Sequence, residues 1–270
     1  MFRNLHTALN KVITKLTKSS GQYVCPICNK RSDSFLPLPN YYIENQQKFG
    51  WRYSYKDAEM SNAENFSCPF CGANDRDRLY ALYIRGAIEK LHSDETVRII
   101  DFAPSSPLSL YIEWLIKEAY QKITYTTADL HLDNVDDRVD IMDMNIYQDN
   151  FFDFFICSHV LEHVRDDKKA LRELHRILKV DGKGILMVPI ILSIDNIDED
   201  PDVIEESEKW RRFGQCDHVR LYSKKGFIKR TAEAGFKVRQ LGYEFFGKDV
   251  FSRHAINQQS ILYVVEKKNF

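Results

Sequence analysis

Short apolar runs that alternate with amphipathic stretches fill the chain from residue 97 to residue 266, and this constrains its fold more than any other feature. Residues 97–102, 123–128, 152–158 and 183–189 read as strands, with helical spacing over 109–119 and 168–178 between them. Beyond a polar insertion, 223–234 reads as a helix and 237–242 and 261–266 as strands. Strands alternating with helices imply βαβ units and a parallel sheet with helices on both faces. No internal repeat interrupts this plan.

The 270 residues, 44% of them hydrophobic and 13% aromatic, supply one full core and a smaller module, which excludes disorder as the dominant state. Against 39 Asp+Glu the chain has 38 Lys+Arg, a net charge of -1, which disfavours a uniformly basic nucleic-acid binder. The apolar runs stop well short of the roughly 18 to 20 residues of a membrane span. The N-terminus lacks the charged, apolar and small-residue order of a signal peptide, so a cytoplasmic protein is expected.

Four of the six cysteines form two Cys-Pro-x-Cys pairs, Cys25/Cys28 and Cys68/Cys71. Each such turn offers two thiolates to one metal, and together the pairs complete a closed, structural Zn²⁺ site. The 39 residues between them are more than a minimal ribbon needs and are expected to form a substrate-facing loop. Cys157 reads as a small core residue. The expected organisation is an amphipathic helix over 1–20, a four-cysteine zinc module with a linker helix over 21–92, and an α/β domain over 93–270. The basic first helix suits packing or a weak membrane-surface contact.

Within the α/β domain, the strand ending at Asp101 runs into Ala103-Pro-Ser105, small residues that let backbone approach a cofactor. The strand ending at Asp129-Leu130 offers a carboxylate to ribose hydroxyls. Asp140 and Asp143 follow, and then Ser158-His159-Val-Leu-Glu162-His163-Val.

The stretch from Phe152 to Pro189, with its His-Val-Leu-Glu-His-Val and the following Ala170-Leu-Arg-Glu-Leu-His-Arg-Ile-Leu-Lys, resembles class I S-adenosylmethionine-dependent methyltransferases of the type 11 kind. The resemblance spans about residues 95–267. It implies a Rossmann-like seven-stranded sheet whose last strand is antiparallel. It places Asp101, Ala103, Ser105, Asp129, Leu130, Asp140, Ser158 and His159 on the cofactor S-adenosyl-L-methionine. The first loop departs from the family's Gly-x-Gly-x-Gly. A subgroup with a preceding Cys-Pro-x-Cys module is similar in having a Phe-Ala-Pro loop there, an Arg-x-Arg (here Arg76 and Arg78) after the second cysteine pair, and a Gly-Gln-x-Asp-His-Val-Arg segment (here 214–220). Members of that subgroup look like enzymes of polysaccharide or secondary metabolism.

Methyl transfer needs the acceptor held in line with the methyl carbon and freed of a proton. His218 with Asp217 is the expected base. Arg76, Arg78 and Arg220, with Arg211 and Arg212, are expected to clamp an anionic group of the acceptor. Residues 195–208, with eight acids and no base, read as a solvated loop or helix start. The expected acceptor is a small molecule or glycan methylated on oxygen or nitrogen. The alternatives are an RNA methyltransferase with a zinc module and a non-catalytic zinc scaffold that has lost its cofactor.

Overall fold

A computed structural model describes residues 21–88, 90, 96–118 and 122–267. The helix expected over the first residues lies outside this range. In chain order the elements of the N-terminal module are β1 (Tyr23–Val24), β2 (Arg31–Ser32), α1 (Asn40–Lys48) and α2 (Asp75–Ile88). The sheet domain continues with β3 (Val97–Phe102), α3 (Ser106–Glu118), β4 (Ile123–Asp129), β5 (Asp137–Arg138), β6 (Phe152–Ser158), α4 (Asp167–Ile177) and β7 (Leu178–Met187). An insertion carries β8 (Ile190–Ile191), β9 (Asp198–Glu199), α5 (Glu206–Phe213) and β10 (Arg220–Ser223). The chain ends its described part with α6 (Lys224–Glu233), β11 (Phe236–Leu241), α7 (Tyr243–Phe246), α8 (Lys248–Arg253) and β12 (Leu262–Lys267).

The seven-stranded sheet has the order β11-β12-β7-β6-β3-β4-β5. β3, β4, β5, β6 and β7 are mutually parallel where they pair, and β12 runs antiparallel to both neighbours, as the resemblance implies. The middle strands are apolar because both faces are covered: Ile99, Ile100, Phe154, Phe155, Ile156, Ile185 and Leu186 are all buried. From β3 the chain winds outward through β4 and β5, then returns to build β6 and β7 on the other side of β3. That reversal opens a crevice beyond the carboxyl ends of β3 and β6, the general ligand site of such sheets.

Helix ends follow local chemistry. Asp166 caps α4 by accepting from Lys169 N, and Ser223 caps α6 by accepting from Gly226 N. Before α2, Asn74 and Asp77 form a reciprocal capping box, each side chain accepting the other's backbone N–H.

The N-terminal module is bolted to this sheet. Arg78 is fully buried and donates to the carbonyls of Asn65, Phe66, Ala73, His254 and Ala255, with its guanidinium stacked 4.5 Å from the Phe35 ring. Glu59, also buried, accepts from Lys224 Nζ and Tyr263 Oη, both at 2.6 Å. The insertion folds as a small sheet of order β8-β10-β9, and Ala58 bridges to Ile191 at its edge. The acidic run over 195–208 is not simply solvated. Asp198 and Asp200 hold Arg212, and Glu199 holds Arg220 and Arg230.

Candidate functional site

The crevice at the carboxyl ends of β3, β4 and β6 is a cavity of about 500 Å³, within the usual range for a cofactor or small-ligand site. Ala103, Asp129, Leu130, Asp140, His159, His163 and Asp217 stand in its wall, together with apolar Val139, Ile141, Met142 and Val160. Asp129 ends β4 and accepts through Oδ1 from the N–H groups of His131 and Leu132, which fixes its carboxylate at the rim. Asp140 accepts from Met142 N at 2.8 Å, while Asp143 is exposed and outside the wall.

Two residues of this wall take the left-handed backbone conformation that favours glycine. Ala103 has φ 51° and His159 has φ 57°. Each costs about 1–3 kcal/mol unless the surroundings impose it. Ala103 N is pinned by the Ala128 carbonyl and His159 N by that of Met187. The glycine-free loop therefore keeps a glycine-like turn, and the strain sits at the tips of the two strands that flank the crevice.

The other expected cofactor residues stand behind the wall. Asp101 is 2% exposed and accepts from Tyr125 Oη at 2.7 Å; burial pushes its carboxyl up to about 7. It supports the loop from below rather than facing the cavity. Ser158 exchanges a hydrogen bond with Tyr80 Oη, 2.8 Å away, and is likewise absent from the wall. Ser105, just before α3, is likewise outside the wall.

A second, smaller cavity of about 120 Å³ lies across His159. Its walls are Tyr42, Trp51, Tyr55 and Phe66 from the N-terminal module, Phe213 from α5, and the polar side chains of Gln46, Arg76, His159 and His218. Trp51 Nε1 is a buried donor with no acceptor among the described residues. The Arg76 side chain has no ion-pair or hydrogen-bond partner among the described residues. The substrate-facing loop expected between the cysteine pairs supplies this wall, but nothing in the sequence singled out Gln46, because burial of that loop against α5 is a tertiary event.

Between the cavities lies a compact polar cluster. Glu162 is fully buried, and neither of its oxygens makes a hydrogen bond among the described residues. His159 Nδ1 lies 3.2 Å from Glu162 Oε1, out of hydrogen-bond alignment, and His163 Nε2 lies 3.9 Å away. Burial pushes the Glu162 carboxyl up, but the surrounding imidazoles outweigh it and bring the group down to about 2. Burial holds His218 down to about 4, so its ring is neutral at pH 7.

The expected Asp217–His218 pair is not formed. Asp217 instead faces His163 Nδ1 at 3.3 Å, and the His218 ring packs edge-on against His163 at 4.7 Å with its Nδ1 buried and unpaired. Two expected acceptor clamps are also corrected. Arg78 is consumed by its five carbonyls, and the fully buried Arg220 donates to the carbonyls of Leu161, Val164 and Arg165 and to Glu199. Arg211 and Arg212 are held by Glu208 and by Asp198 with Asp200. Of the five arginines only Arg76 reaches a cavity.

The four cysteines converge, as the spacing requires. Cys25 and Cys71 have their sulfurs 3.7 Å apart, as do Cys28 and Cys68. A tetrahedron with metal–sulfur bonds of ~2.3 Å has edges of about 3.8 Å, so the donor set fits Zn²⁺ without rearrangement. Cys157 is a buried core residue, as expected.

Strand order and site together define a class I methyltransferase fold with an N-terminal four-cysteine module. Residues 117–186 match the family described as "Methyltransferase domain". An uncharacterized methyltransferase of Bacillus subtilis (strain 168), YcgJ, is 31% identical over 99 residues, which cover 36% of this chain and 34% of that protein. The chain thus matches about a third of the length of this curated relative. Among solved structures, the CMeT domain of the citrinin polyketide synthase aligns over 73% of this chain and 53% of that one, with 14% identity and a TM-score of 0.48. The complex between the Haloferax volcanii Trm112 methyltransferase activator and its putative methyltransferase aligns over 72% and 94%, with 16% identity and a TM-score of 0.43. No helix among the described residues is long and apolar enough to cross a membrane.

Proposed function

We propose that the protein transfers a methyl group from S-adenosylmethionine to an oxygen or nitrogen of a small molecule or glycan that carries an anionic group. The observation that carries this reading is the pair of fixed carboxylates, Asp129 and Asp140, facing one crevice at the sheet's switch point beside the strained turn at Ala103. Asp129 would hold the ribose hydroxyls and Asp140 the adenine amino group, with Leu130, Val139 and Ile141 against the base. When bound, the cofactor supplies an electrophilic methyl carbon on a sulfonium.

The acceptor would enter the aromatic cavity on the far side of His159. Aromatic faces suit a sugar or planar ring, the unpaired Trp51 N–H suits an acceptor oxygen, and the free Arg76 guanidinium suits a carboxylate or phosphate. The cluster around Glu162 stands where the acceptor and methyl group would meet and would ionise the acceptor. The four cysteines would hold a structural Zn²⁺ that keeps the aromatic wall in shape.

Calorimetric titration with S-adenosylhomocysteine tests the cofactor assignment. We expect micromolar binding by the intact chain and at least a tenfold loss in Asp129→Ala. Absence of binding by the folded protein would sink the enzyme reading and favour the zinc scaffold.

A further inference from the structure

A fully buried carboxylate with imidazole ion pairs and no hydrogen bond to either oxygen among the described residues is expensive to keep ionised. Glu162 is such a group, and the side chains that converge on it are imidazoles rather than an arginine or lysine. One ligand atom each from Glu162, His163 and His218 lie within 4.8 Å of one another. Ligands about 2.0–2.2 Å from a common ion are roughly 3–3.5 Å apart, so a small rotation of the half-exposed His163 ring closes the set.

The outer shell is also in place. Asp217 faces His163 Nδ1 at 3.3 Å, which leaves Nε2, the nitrogen turned toward Glu162, free to ligate. A carboxylate behind the distal nitrogen is how metal-bound histidines are usually oriented. His218 brings an unpaired buried Nδ1 from the segment before β10, and Val219 N donates to the Glu162 carbonyl, tying that segment to the loop after β6.

We propose that Glu162, His163 and His218 bind a divalent transition-metal ion between the two cavities, with Asp217 as the positioning residue behind His163. Two imidazoles and one carboxylate favour Zn²⁺, Mn²⁺ or Co²⁺ over Mg²⁺ or Ca²⁺. Three protein ligands leave open positions. His163 lines the cofactor cavity and His218 the aromatic one, so those positions face the point where the acceptor would lie. Resting on the methyltransferase reading, the ion would bind the acceptor hydroxyl and lower its pKa. The proton leaves to water, the oxygen forms the bond to the methyl carbon, and the carbon–sulfur bond breaks with its electron pair kept by sulfur.

Mn²⁺ is the probe, since it avoids thiolates and spares the four-cysteine cluster. Its free signal, followed by electron paramagnetic resonance, should fall with one saturable site per full-length chain. Glu162→Gln and His163→Ala should abolish that site, and Asp217→Asn should weaken it about 10- to 100-fold. Glu162→Gln, whose side chain does not line the cofactor cavity, should still bind S-adenosylhomocysteine, and all three should keep a cooperative thermal melt, which shows that they remain folded; His163, at 34% side-chain exposure, is the variant least able to disturb the core. Mn²⁺ that stays free with the wild-type chain, or binds Glu162→Gln as tightly, overturns the site. Mn²⁺ binding without S-adenosylhomocysteine binding would leave the metal site standing and remove the cofactor reading.

Discussion

Asp101 carries a consequence of burial that is specific to one carboxyl. Its folded-state pKa of about 7 lies above the unfolded value of about 3.9. Between those values the native state binds a proton that the unfolded state does not, so stability falls as pH rises from about 4 to about 7 and is level above that. The shift corresponds to as much as roughly 4 kcal/mol. An amide removes the titration and can donate to Tyr125 Oη, which then donates to Ser109 Oγ, 3.0 Å away. Asp101→Asn should therefore melt several degrees above wild type at pH 8.5 and by less than half as much at pH 5, as measured by differential scanning calorimetry. An equal shift at both pH values would mean that the group is ionised and well solvated in the native state. At this scale the sequence is least transparent. Asp101, Arg78 and Arg220 match their motif positions, yet burial decides what each does, and burial depends on residues as distant as His254 for Arg78. Ala103 shows the converse, since a missing glycine did not change the backbone it was expected to serve.

Elements were legible where the apolar pattern was long. The strands read over 97–102 and 152–158 coincide with β3 and β6, and the helix over 168–178 lies one residue from α4. β5, β8, β9 and β10 were missed because they are two to four residues long and are held by neighbours rather than by their own periodicity. β7 begins earlier than read, at Leu178, and contains Gly184, which faces Phe155 of β6 in register and Val265 of β12 on its other side. A Cβ at that position would run into the Phe155 ring, which is fully buried and cannot swing out to solvent. Gly184→Ala should cost about 1–3 kcal/mol by overpacking. In urea melts the double variant Gly184→Ala/Phe155→Ala should lose less than the sum of the two single losses, because the ring that clashes is gone. Additive losses would show that the sheet absorbs the methyl without touching Phe155.

At the scale of the whole molecule, the two cavities draw on different parts of the chain. No residue before Phe102 lines the larger cavity, whereas more than half of the smaller one comes from residues 38–76. That segment lies between or just after the cysteine pairs, and the carbonyls of Asn65, Phe66 and Ala73 that Arg78 gathers belong to it. A metal at the four sulfurs would therefore shape the smaller cavity and leave the larger one to the sheet. Structural Zn²⁺ contributes on the order of 10 kcal/mol in small modules, and even a fraction of that moves the melt, at about 2–4 °C per kcal/mol for a chain of this size. Exhaustive chelation, or Cys68→Ser, should lower the melting temperature by at least about 5 °C. S-adenosylhomocysteine affinity at 20 °C should change less than threefold, and the tryptophan fluorescence of Trp51 should shift to the red as its pocket opens. Parallel loss of S-adenosylhomocysteine binding would mean that the cysteine module holds the sheet's switch point as well. An unchanged melt would mean that the burial of Cys25 and Cys68 with Phe35 and Ala255 suffices to hold the module without a metal.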